Sequence, residues 1–385
     1  MSVQASVKEL YKAPSASFID ESHPELAKLR IVVVSDAAPQ RNGVGAYYHD
    51  LMRYFEPHVA YLETICPKIE GDRWTGGWNF TLPGDATQKF VIPSYFKLKR
   101  QIEAAKPDLI IVPTPGVFGI YGARIGKALG VKVVVGFHTW FEKLADLYWG
   151  KVQGFFTKGY FEVSNRILFR YGDVVLANSD YMVNVASEIG ARRTGVMGTP
   201  VAFDFITKPV RAFDPNIRSV LFAGRLAAEK NIQSVIEAAK VMPEIQFSIS
   251  GDGPERDVIA AAANEIPNLT YLGWQNREQL MDCMDHHDLV VLPSLVESFG
   301  TIALEAMARQ RLTLVSEDCG ITEWPDLAKG LFSYPQEKGL TQALRDVIGM
   351  DPALKISKAK AGRQAAKDLN NWSCSLWRDI FTEYS

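Results

Sequence analysis

The sequence is poor in cysteine, in excess charge of one sign and in long apolar runs, and each shortage excludes a class of protein. Its 385 residues include only four cysteines, at positions 66, 283, 319 and 374, without the paired spacings of a zinc knuckle, a redox motif or a disulfide framework. No stretch approaches the roughly 18 uninterrupted apolar residues of a membrane span, and the first residues lack a secretory apolar segment. We therefore expect a cytoplasmic protein that is at most peripheral on the cytoplasmic membrane face.

The overall charge is nearly balanced. The chain has 42 Lys and Arg against 44 Asp and Glu, a net charge of −2. A dedicated nucleic-acid binder needs a strongly basic face, so no nucleic-acid partner is predicted. The length and the 47% hydrophobic content exceed one compact core and predict two α/β domains.

Short β-branched segments alternate with helical patterns along the chain, which is typical of parallel α/β layers. The first set has five predicted strands between Arg30 and Ala177, and the second has five between Ser219 and Ser316. The aperiodic segment Gly198–Asn216 is the predicted linker, which divides the chain into domains of residues 1–203 and 204–371. We expect two doubly wound sheets that face each other across a cleft, with ligands beyond the carboxyl ends of their strands.

Two carboxylates, Glu297 and Glu305, lie eight positions apart after the apolar strand Leu289–Leu292. The residues between them are predicted to begin a helix, where unpaired backbone N–H groups and a partial positive charge suit a diphosphate. Glu297 is then expected to accept hydrogen bonds from sugar hydroxyls, and Glu305, about two turns into the helix, to reach the ribose of a nucleotide. This pattern indicates sugar transfer.

Two cations, Arg225 and Lys230, follow the strand Ser219–Ala223 and the turn residue Gly224. A nucleoside diphosphate gains negative charge as it leaves, so preorganised cations lower the reaction barrier more than they strengthen ground-state binding. We expect these two side chains to converge on the diphosphate. The alternative is a pair of solvated surface cations.

Other candidate residues also follow predicted strands. Gly251 and Gly253 are expected to let a nucleotide approach the backbone, and Gly43 and Gly45 to do the same for a phosphate or an acceptor. His138 is expected to bond a donor-sugar hydroxyl, or to stabilise charge at the anomeric carbon through its carbonyl. The alternatives are an ordinary strand-to-helix turn and a structural histidine.

Together, these motifs resemble the family-4 retaining glycosyltransferases of the GT-B fold, most strongly over residues 218–318. The motifs that carry the resemblance are Gly224-Arg225-Leu226, Glu229-Lys230-Asn231, Gly251-Asp252-Gly253-Pro254 and Glu297-Ser298-Phe299-Gly300 ending at Glu305. The resemblance implies two Rossmann-like domains and a last helix, residues 372–385, that returns to the N-terminal domain. It also implies a nucleotide-sugar donor in the C-terminal domain, an acceptor in the N-terminal domain, retained anomeric configuration, and neither a cofactor nor an obligatory metal.

Carried over residue by residue, the resemblance implies that Arg225 and Lys230 hold the diphosphate, Glu297 the sugar hydroxyls and Glu305 the ribose. His138 would face the sugar. The implied donor-binding set is completed by backbone groups and small residues: Gly43, Gly45, Gly224, Gly251, Gly253, Ser298, Phe299, Gly300 and Thr301.

Aromatic residues interleaved with cations suggest a lipid acceptor such as diacylglycerol, because such patterns suit a bilayer interface. One such patch is Thr139–Tyr171, and a second comprises Trp74, Trp78, Phe80, Phe96, Lys97, Lys99 and Arg100. Both predict peripheral membrane contact through the N-terminal domain. The alternatives are aromatics packed inside the domain and a carbohydrate acceptor, such as a polysaccharide or a soluble glycan.

Three other functions share parts of this pattern. A hydrolase with paired carboxylates needs them about 5–9 Å apart, whereas eight helical residues would separate them by roughly 12 Å, which disfavours hydrolysis. A sugar-nucleotide epimerase and a non-catalytic nucleotide-sugar-binding protein remain alternatives. The dense Lys355, Lys358, Lys360, Arg363 and Lys367 series predicts only a solvated helix face.

Overall fold

The computed structural model describes residues 18–38, 43–70, 73–82, 85–138, 151–178 and 180–385. The chain divides into two compact units, Met1–Pro200 with Leu369–Ser385, and Val201–Asp368. The boundaries placed after residues 203 and 371 from the sequence lie three residues further along the chain. Within the described ranges, no helix is long and apolar enough to cross a membrane.

The first unit is built on a parallel sheet of six strands in the order β10-β9-β8-β7-β1-β2. Its central strands are uninterrupted apolar segments buried on both faces, as parallel sheets covered by helices require. The strands are β1 (Arg30–Val34), β2 (Tyr61–Ile65), β7 (Leu109–Val112), β8 (Lys132–Phe137), β9 (Val174–Ala177) and β10 (Thr194–Val196). The helices are α1 (Gly43–Phe55), α2 (Tyr95–Ala105), α3 (Val117–Leu129), α4 (Lys151–Tyr171) and α5 (Asp180–Ile189).

Two antiparallel hairpins are inserted between β2 and α2. Their strands are β3 (Lys68–Glu70), β4 (Arg73–Thr75), β5 (Trp78–Leu82) and β6 (Asp85–Ile92). In the second hairpin, Trp78 pairs with Ile92 and Phe80 with Phe90. Because residues two apart share one face of a strand, these four side chains form a single apolar face.

The second unit repeats the architecture, with six parallel strands in the order β13-β12-β11-β14-β15-β16. The strands are β11 (Ser219–Ala223), β12 (Gln246–Ser250), β13 (Leu269–Gly273), β14 (Leu289–Leu292), β15 (Leu312–Ser316) and β16 (Phe332–Tyr334). The helices are α6 (Phe203–Thr207), α7 (Ile232–Val241), α8 (Arg256–Glu265), α9 (Arg277–Asp285), α10 (Thr301–Ala308), α11 (Pro325–Ala328) and α12 (Leu340–Gly349). Both units therefore have the Rossmann-like α/β architecture of the GT-B fold.

The last helix, α13 (Pro352–Tyr384), begins in the second unit and ends in the first. In the first unit the fully buried Trp377 donates its indole N–H to the hydroxyl of Tyr47 at 2.8 Å. That hydroxyl in turn donates to the carbonyl of Gly198. The predicted returning helix, residues 372–385, is thus the end of a much longer helix.

The predicted solvated face of this helix is wrong for three of its cations. Lys355 is buried and donates to the carbonyl of Ile348 at 2.9 Å. Lys358 donates to the carbonyl of Leu331 at 2.8 Å, and Arg363 donates to that of Ala308. These cations satisfy carbonyl groups that lack a partner at the ends of other elements.

Candidate active site

Two loops of the second unit are tied together at the carboxyl ends of the adjacent strands β11 and β14. The side-chain amide of Asn231 donates to the carbonyl of Pro293 at 3.2 Å, and the N–H of Leu295 donates to the carbonyl of Glu229 at 2.8 Å. Asn231 adopts a left-handed conformation with φ of 52°, which turns the chain from the Lys230 loop into α7. These bonds place Lys230 beside the loop that carries Glu297.

The ammonium group of Lys230 forms an ion pair and hydrogen bond with the carboxylate of Glu297. Both side chains are half-buried. Burial lowers the pKa of Lys230, but the charge and the hydrogen bond of Glu297 raise it by more, so this pKa lies above its ordinary value. The structure thus brings together two residues for which the sequence predicted separate ligand contacts. Arg225 follows Gly224 at the end of β11 and is half-buried.

The loop that carries Glu297 is fixed by backbone bonds to the segment after β15. The N–H of Gly320 donates to the carbonyl of Glu297 at 3.0 Å, and that of Ile321 donates to the carbonyl of Phe299 at 2.7 Å. The Phe299 side chain is buried against Trp324, with ring centroids 6.1 Å apart, so it belongs to the core and only its backbone remains for a ligand.

Helix α10 begins at Thr301, directly after Gly300, whose φ of 104° favours glycine. Ser298 and Thr301 are exposed on either side of this start. The start of this helix therefore has the partial positive charge expected for an anion site. The expectation of eight helical residues between Glu297 and Glu305 is wrong, because Glu297 precedes the helix by four positions.

Glu305 lies about one turn into α10, not two, and its side chain is only 1% exposed. Its carboxylate accepts a charge-assisted hydrogen bond from Arg277 at 2.6 Å. Arg277 is the first residue of α9, whose start is fixed by a capping box between Asn276 and Gln279. The ribose contact of Glu305 remains a prediction, and any such contact would have to be made at this ion pair.

Arg277 was not identified from the sequence. No spacing rule connects α9 with α10, so the sequence alone gives no signal for this ion pair. The capping box of Asn276 and Gln279 is a local sequence signal for the helix start at Arg277. The pairing of Arg277 with Glu305 depends on tertiary packing.

The two glycine turns of the second unit pack against each other. Gly224 donates its N–H to the carbonyl of Ser250 at 3.0 Å, and Leu226 donates to that of Asp252 at 3.0 Å. A Cβ at Gly251 would lie 1.8 Å from the carbonyl oxygen of Gly224, and at Gly253 2.4 Å from that of Leu226. Close packing of the backbone therefore explains why residues 251 and 253 are glycines. The approach of a nucleotide to these glycines remains a prediction.

In the first unit, Gly43 and Gly45 lie inside the first turn of α1 and not in a turn before that helix. Gly43 is exposed and Gly45 is buried. Residues 39–42, which precede these glycines, lie outside the described residues. Contact of the two glycines with a phosphate or an acceptor remains a prediction.

His138 directly follows β8, and its ring is held among aromatic side chains. Its Nε2 atom forms a 3.1 Å hydrogen bond with the Tyr48 hydroxyl, and its ring lies 4.8 Å from that of Tyr47. Burial lowers the pKa of His138 to about 3, so the imidazole is neutral at neutral pH. The tyrosine bond supplies the structural role that was the alternative interpretation, and a sugar contact remains a prediction.

Replacing His138 with glutamine is expected to reduce the loss of stability in acid. The unfolded imidazole gains a proton near pH 6.5, whereas the folded one does not until about pH 3, so stability falls as pH decreases between these values. From pH 6.5 to 4.5 we expect wild type to lose roughly 1–3 kcal/mol more than His138→Gln. Urea unfolding at both pH values measures this difference, and equal losses would contradict it.

Asp36 is a second residue that the sequence interpretation missed. Its carboxylate follows β1 and accepts hydrogen bonds from the Thr114 hydroxyl at 2.8 Å and from the N–H groups of Phe118 and Gly119 at 2.8 and 3.1 Å. It therefore caps the start of α3. Burial raises the pKa of Asp36 to about 6, despite these hydrogen bonds. The sequence signal for Asp36 is its place two residues after β1, at the sheet edge where ligands bind.

The chemistry available in the second unit is that of an anion site. A half-buried ammonium group, a carboxylate beside it and the start of α10 are suited to a ligand that carries both phosphate and hydroxyl groups. Within the described part of the chain, no group of three or more His, Cys, Asp or Glu side chains is arranged to hold a metal ion.

Sequence models of two protein families match adjoining parts of the chain. The family described as Glycosyltransferase Family 4 matches residues 41–202, and the family described as Glycosyl transferases group 1 matches residues 206–367. Together they cover most of the chain.

Relatives and solved structures agree with these families. A sulfoquinovosyl transferase of Arabidopsis thaliana is 23% identical over 65% of this chain and 50% of its own length. The chain spans about half the length of the first curated relatives it matches. The Anabaena protein HepE, in complex with UDP-glucose, superposes with a TM-score of 0.65 at 16% identity, covering 92% of this chain and 98% of its own. WaaG, a glycosyltransferase involved in lipopolysaccharide biosynthesis, superposes with a TM-score of 0.64 at 13% identity, covering 91% and 99%.

Proposed function

Because the chain belongs to the family-4 glycosyltransferases with the GT-B fold, we propose that it transfers a sugar from a nucleoside diphosphate donor to an acceptor hydroxyl. The observation that carries this proposal is the pairing of Lys230 with Glu297 at the sheet edge, four residues before α10 begins. A donor diphosphate competes with Glu297 for Lys230. Its binding therefore releases the Glu297 carboxylate to accept hydrogen bonds from the sugar hydroxyls.

The transfer step proceeds with retained anomeric configuration in this proposal. The bond between the anomeric carbon and the diphosphate oxygen breaks, and the acceptor oxygen bonds to the same face of that carbon. The acceptor proton passes to the leaving phosphate oxygen, so the step needs neither a metal nor a side-chain nucleophile. Lys230, Arg225 and the first N–H groups of α10 stabilise the charge that grows on the diphosphate.

The donor is proposed to be a UDP-hexose. The support is the neighbour HepE, whose structure contains UDP-glucose. In this chain Glu305, held by Arg277, is proposed to bind the ribose hydroxyls. A carboxylate accepts hydrogen bonds from hydroxyls, whereas an arginine donates to them, so the pair offers both kinds of partner to a vicinal diol.

The acceptor is proposed to be a lipid such as diacylglycerol, reached by peripheral contact of the first unit with the cytoplasmic membrane face. Trp78 is 87% exposed and Phe96 is also largely exposed. Lys97 and Arg100 are exposed on α2, the helix that contains Phe96. The neighbour WaaG takes part in lipopolysaccharide biosynthesis. The side chain of Trp74 and residues 139–150 of the other predicted patch lie outside the described residues. A carbohydrate acceptor is the second candidate.

The test is to incubate the purified protein with labelled UDP-hexoses and a lipid extract. Transfer predicts UDP release together with labelled lipid, an epimerase would return an isomerised donor, and a binding protein would retain the donor unchanged. Glu297→Gln keeps the size of the side chain but removes its charge, and it is expected to raise KM for the donor and lower kcat. Flotation with liposomes tests the lipid assignment, which fails if the protein stays unbound and uses only water-soluble acceptors.

A further inference from the structure

The first unit has an apolar groove between helices α3 and α4. Its volume is about 490 Å³, within the range of small-ligand sites. The side chains that line it are almost entirely apolar: Val117, Ile120, Tyr121, Tyr160, Val163 and Ile167. Three of them, Tyr160, Val163 and Ile167, are more than one third exposed. Such a concentration on one surface exceeds the scattered apolar exposure of an ordinary protein surface.

The groove is continuous with the aromatic surface of the second hairpin and α2. On one side the ring of Tyr160 lies 5.8 Å from that of Phe90, which stacks on Phe80 at 5.6 Å. On the other side the ring of Tyr121 lies 5.2 Å from that of Tyr95. The groove therefore opens onto an extended apolar face and is not an isolated depression.

Exposed cations lie on the helices around this face. Arg124 on α3 lies over the Tyr95 ring, with 5.9 Å from its guanidinium carbon to the centroid, and Arg166 on α4 pairs with Glu162 at 2.9 Å. Lys97 and Arg100 are exposed on α2. Aromatic bodies flanked by cations match a lipid layer, whose acyl chains lie below anionic head groups.

One end of the groove lies at the carboxyl edge of the sheet. Val117 is the first residue of α3, the helix whose start is capped by the Asp36 carboxylate after β1. An acyl chain in the groove would thus lead towards the strand ends, where the proposed function places the acceptor hydroxyl.

We propose that the groove between α3 and α4 binds an acyl chain of the lipid acceptor and so selects acyl-bearing acceptors over water-soluble ones. This inference rests on the proposed glycosyl transfer. The site would provide apolar contact along the chain, while the reacting hydroxyl remains at the carboxyl edge of the sheet.

Two variants of the groove test the proposal. Val163→Glu places a charge in the groove, and the matched control is Val258→Glu on α8, because the two valines are 58% and 62% exposed on helices of different units. Gly159→Leu fills the groove, because a Cβ at Gly159 meets no atom within 4 Å. The helical position also favours leucine over glycine, so this variant is expected to fold.

The probe is the fluorescence of cis-parinaric acid, titrated into the full-length protein. We expect at least tenfold weaker binding in both groove variants and an unchanged affinity in Val258→Glu. With labelled UDP-hexose, the ratio of kcat/KM for dioctanoylglycerol over dibutyrylglycerol is expected to fall by a similar factor. Unchanged probe affinity or an unchanged ratio would overturn the proposal. So would a dimer in wild type that Val163→Glu dissociates without weakening the probe.

Binding of UDP, followed by calorimetry, separates this inference from the function on which it rests. If wild type binds UDP and transfers sugar but the groove variants keep the acyl preference, only the groove assignment fails. If wild type neither binds UDP nor releases it from any UDP-hexose, the proposed function itself fails.

Discussion

Lys230→Ala is expected to lower kcat about 10²- to 10³-fold, the range found when one preorganised donor to a developing negative charge is removed. The ammonium group lies half-buried in the loop between β11 and α7, where charge interactions are stronger than in bulk water. The leaving diphosphate gains charge as the glycosidic bond breaks, so the loss falls mainly on kcat, with a smaller rise in KM. Steady-state release of UDP from the labelled donor measures both.

Matched variants separate this catalytic effect from a loss of folding. Lys230→Ala leaves the half-buried Glu297 carboxylate without the ammonium group, so Lys230→Met combined with Glu297→Gln is expected to recover stability but not turnover. Arg256→Ala removes a solvent-exposed cation of the same unit and is expected to leave kcat unchanged. Full turnover in Arg225→Ala combined with Lys230→Ala would refute the proposed role of the cations.

Arg309→Ala is expected to destabilise the second unit by about 3–5 kcal/mol, the usual cost of removing one partner from a buried ion pair. Arg309 is 1% exposed and bonds to Asp285 at 2.9 and 2.5 Å. It also donates to the carbonyls of Lys208 and Pro209, at 2.9 and 2.5 Å. Its removal would leave a carboxylate and several carbonyl oxygens without their donor. Denaturant unfolding followed by far-UV circular dichroism measures the change.

An exposed ion pair provides the contrast for this prediction. Arg256 pairs with Asp257 at 3.3 Å on the surface of the same unit, and Arg256→Ala is expected to leave the free energy of unfolding nearly unchanged. The double variant Arg309→Leu with Asp285→Leu is expected to lose less free energy of unfolding than Arg309→Ala. The reason is that the double variant leaves no charge of the ion pair without its partner. A loss below about 1 kcal/mol in Arg309→Ala would contradict the structural role assigned here.

The sheets were predictable because their strands are short, uniformly apolar and separated by helical patterns. Strands such as Leu109–Val112 and Leu289–Leu292 have every residue buried, so the apolar run itself is the signal. The hairpins of residues 68–92 were not predicted, because β5 has no apolar run: its Trp78 and Phe80 are exposed and the polar Asn79 lies between them. The predicted linker contains the short helix α6. After α6, its backbone carbonyls accept hydrogen bonds from Arg309 and from Arg311, which donates to the carbonyl of Arg211 at 2.5 Å.

For the candidate site, the sequence indicated the residue types and the sheet edge but not the pairings. Lys230 and Glu297 are 67 positions apart, and the bonds from Asn231 and Leu295 that bring them together depend on β11 lying next to β14. The same holds for Arg277 and Glu305, which form an ion pair because the fold of the second unit brings the two residues together. Spacing rules work within one element or one motif, whereas these contacts depend on the order of strands in the sheet.

The return of α13 to the first unit has a consequence for biosynthesis. Residues 18–200 cannot complete their packing when they leave the ribosome, because the hydroxyl of Tyr47 and the ring of Phe55 contact Trp377 and Phe381, which are translated more than 170 residues later. The second unit is continuous in sequence and has no such delay. We therefore expect the middle of the polypeptide to acquire its native structure first during translation, while the beginning waits for the arrival of the last helix.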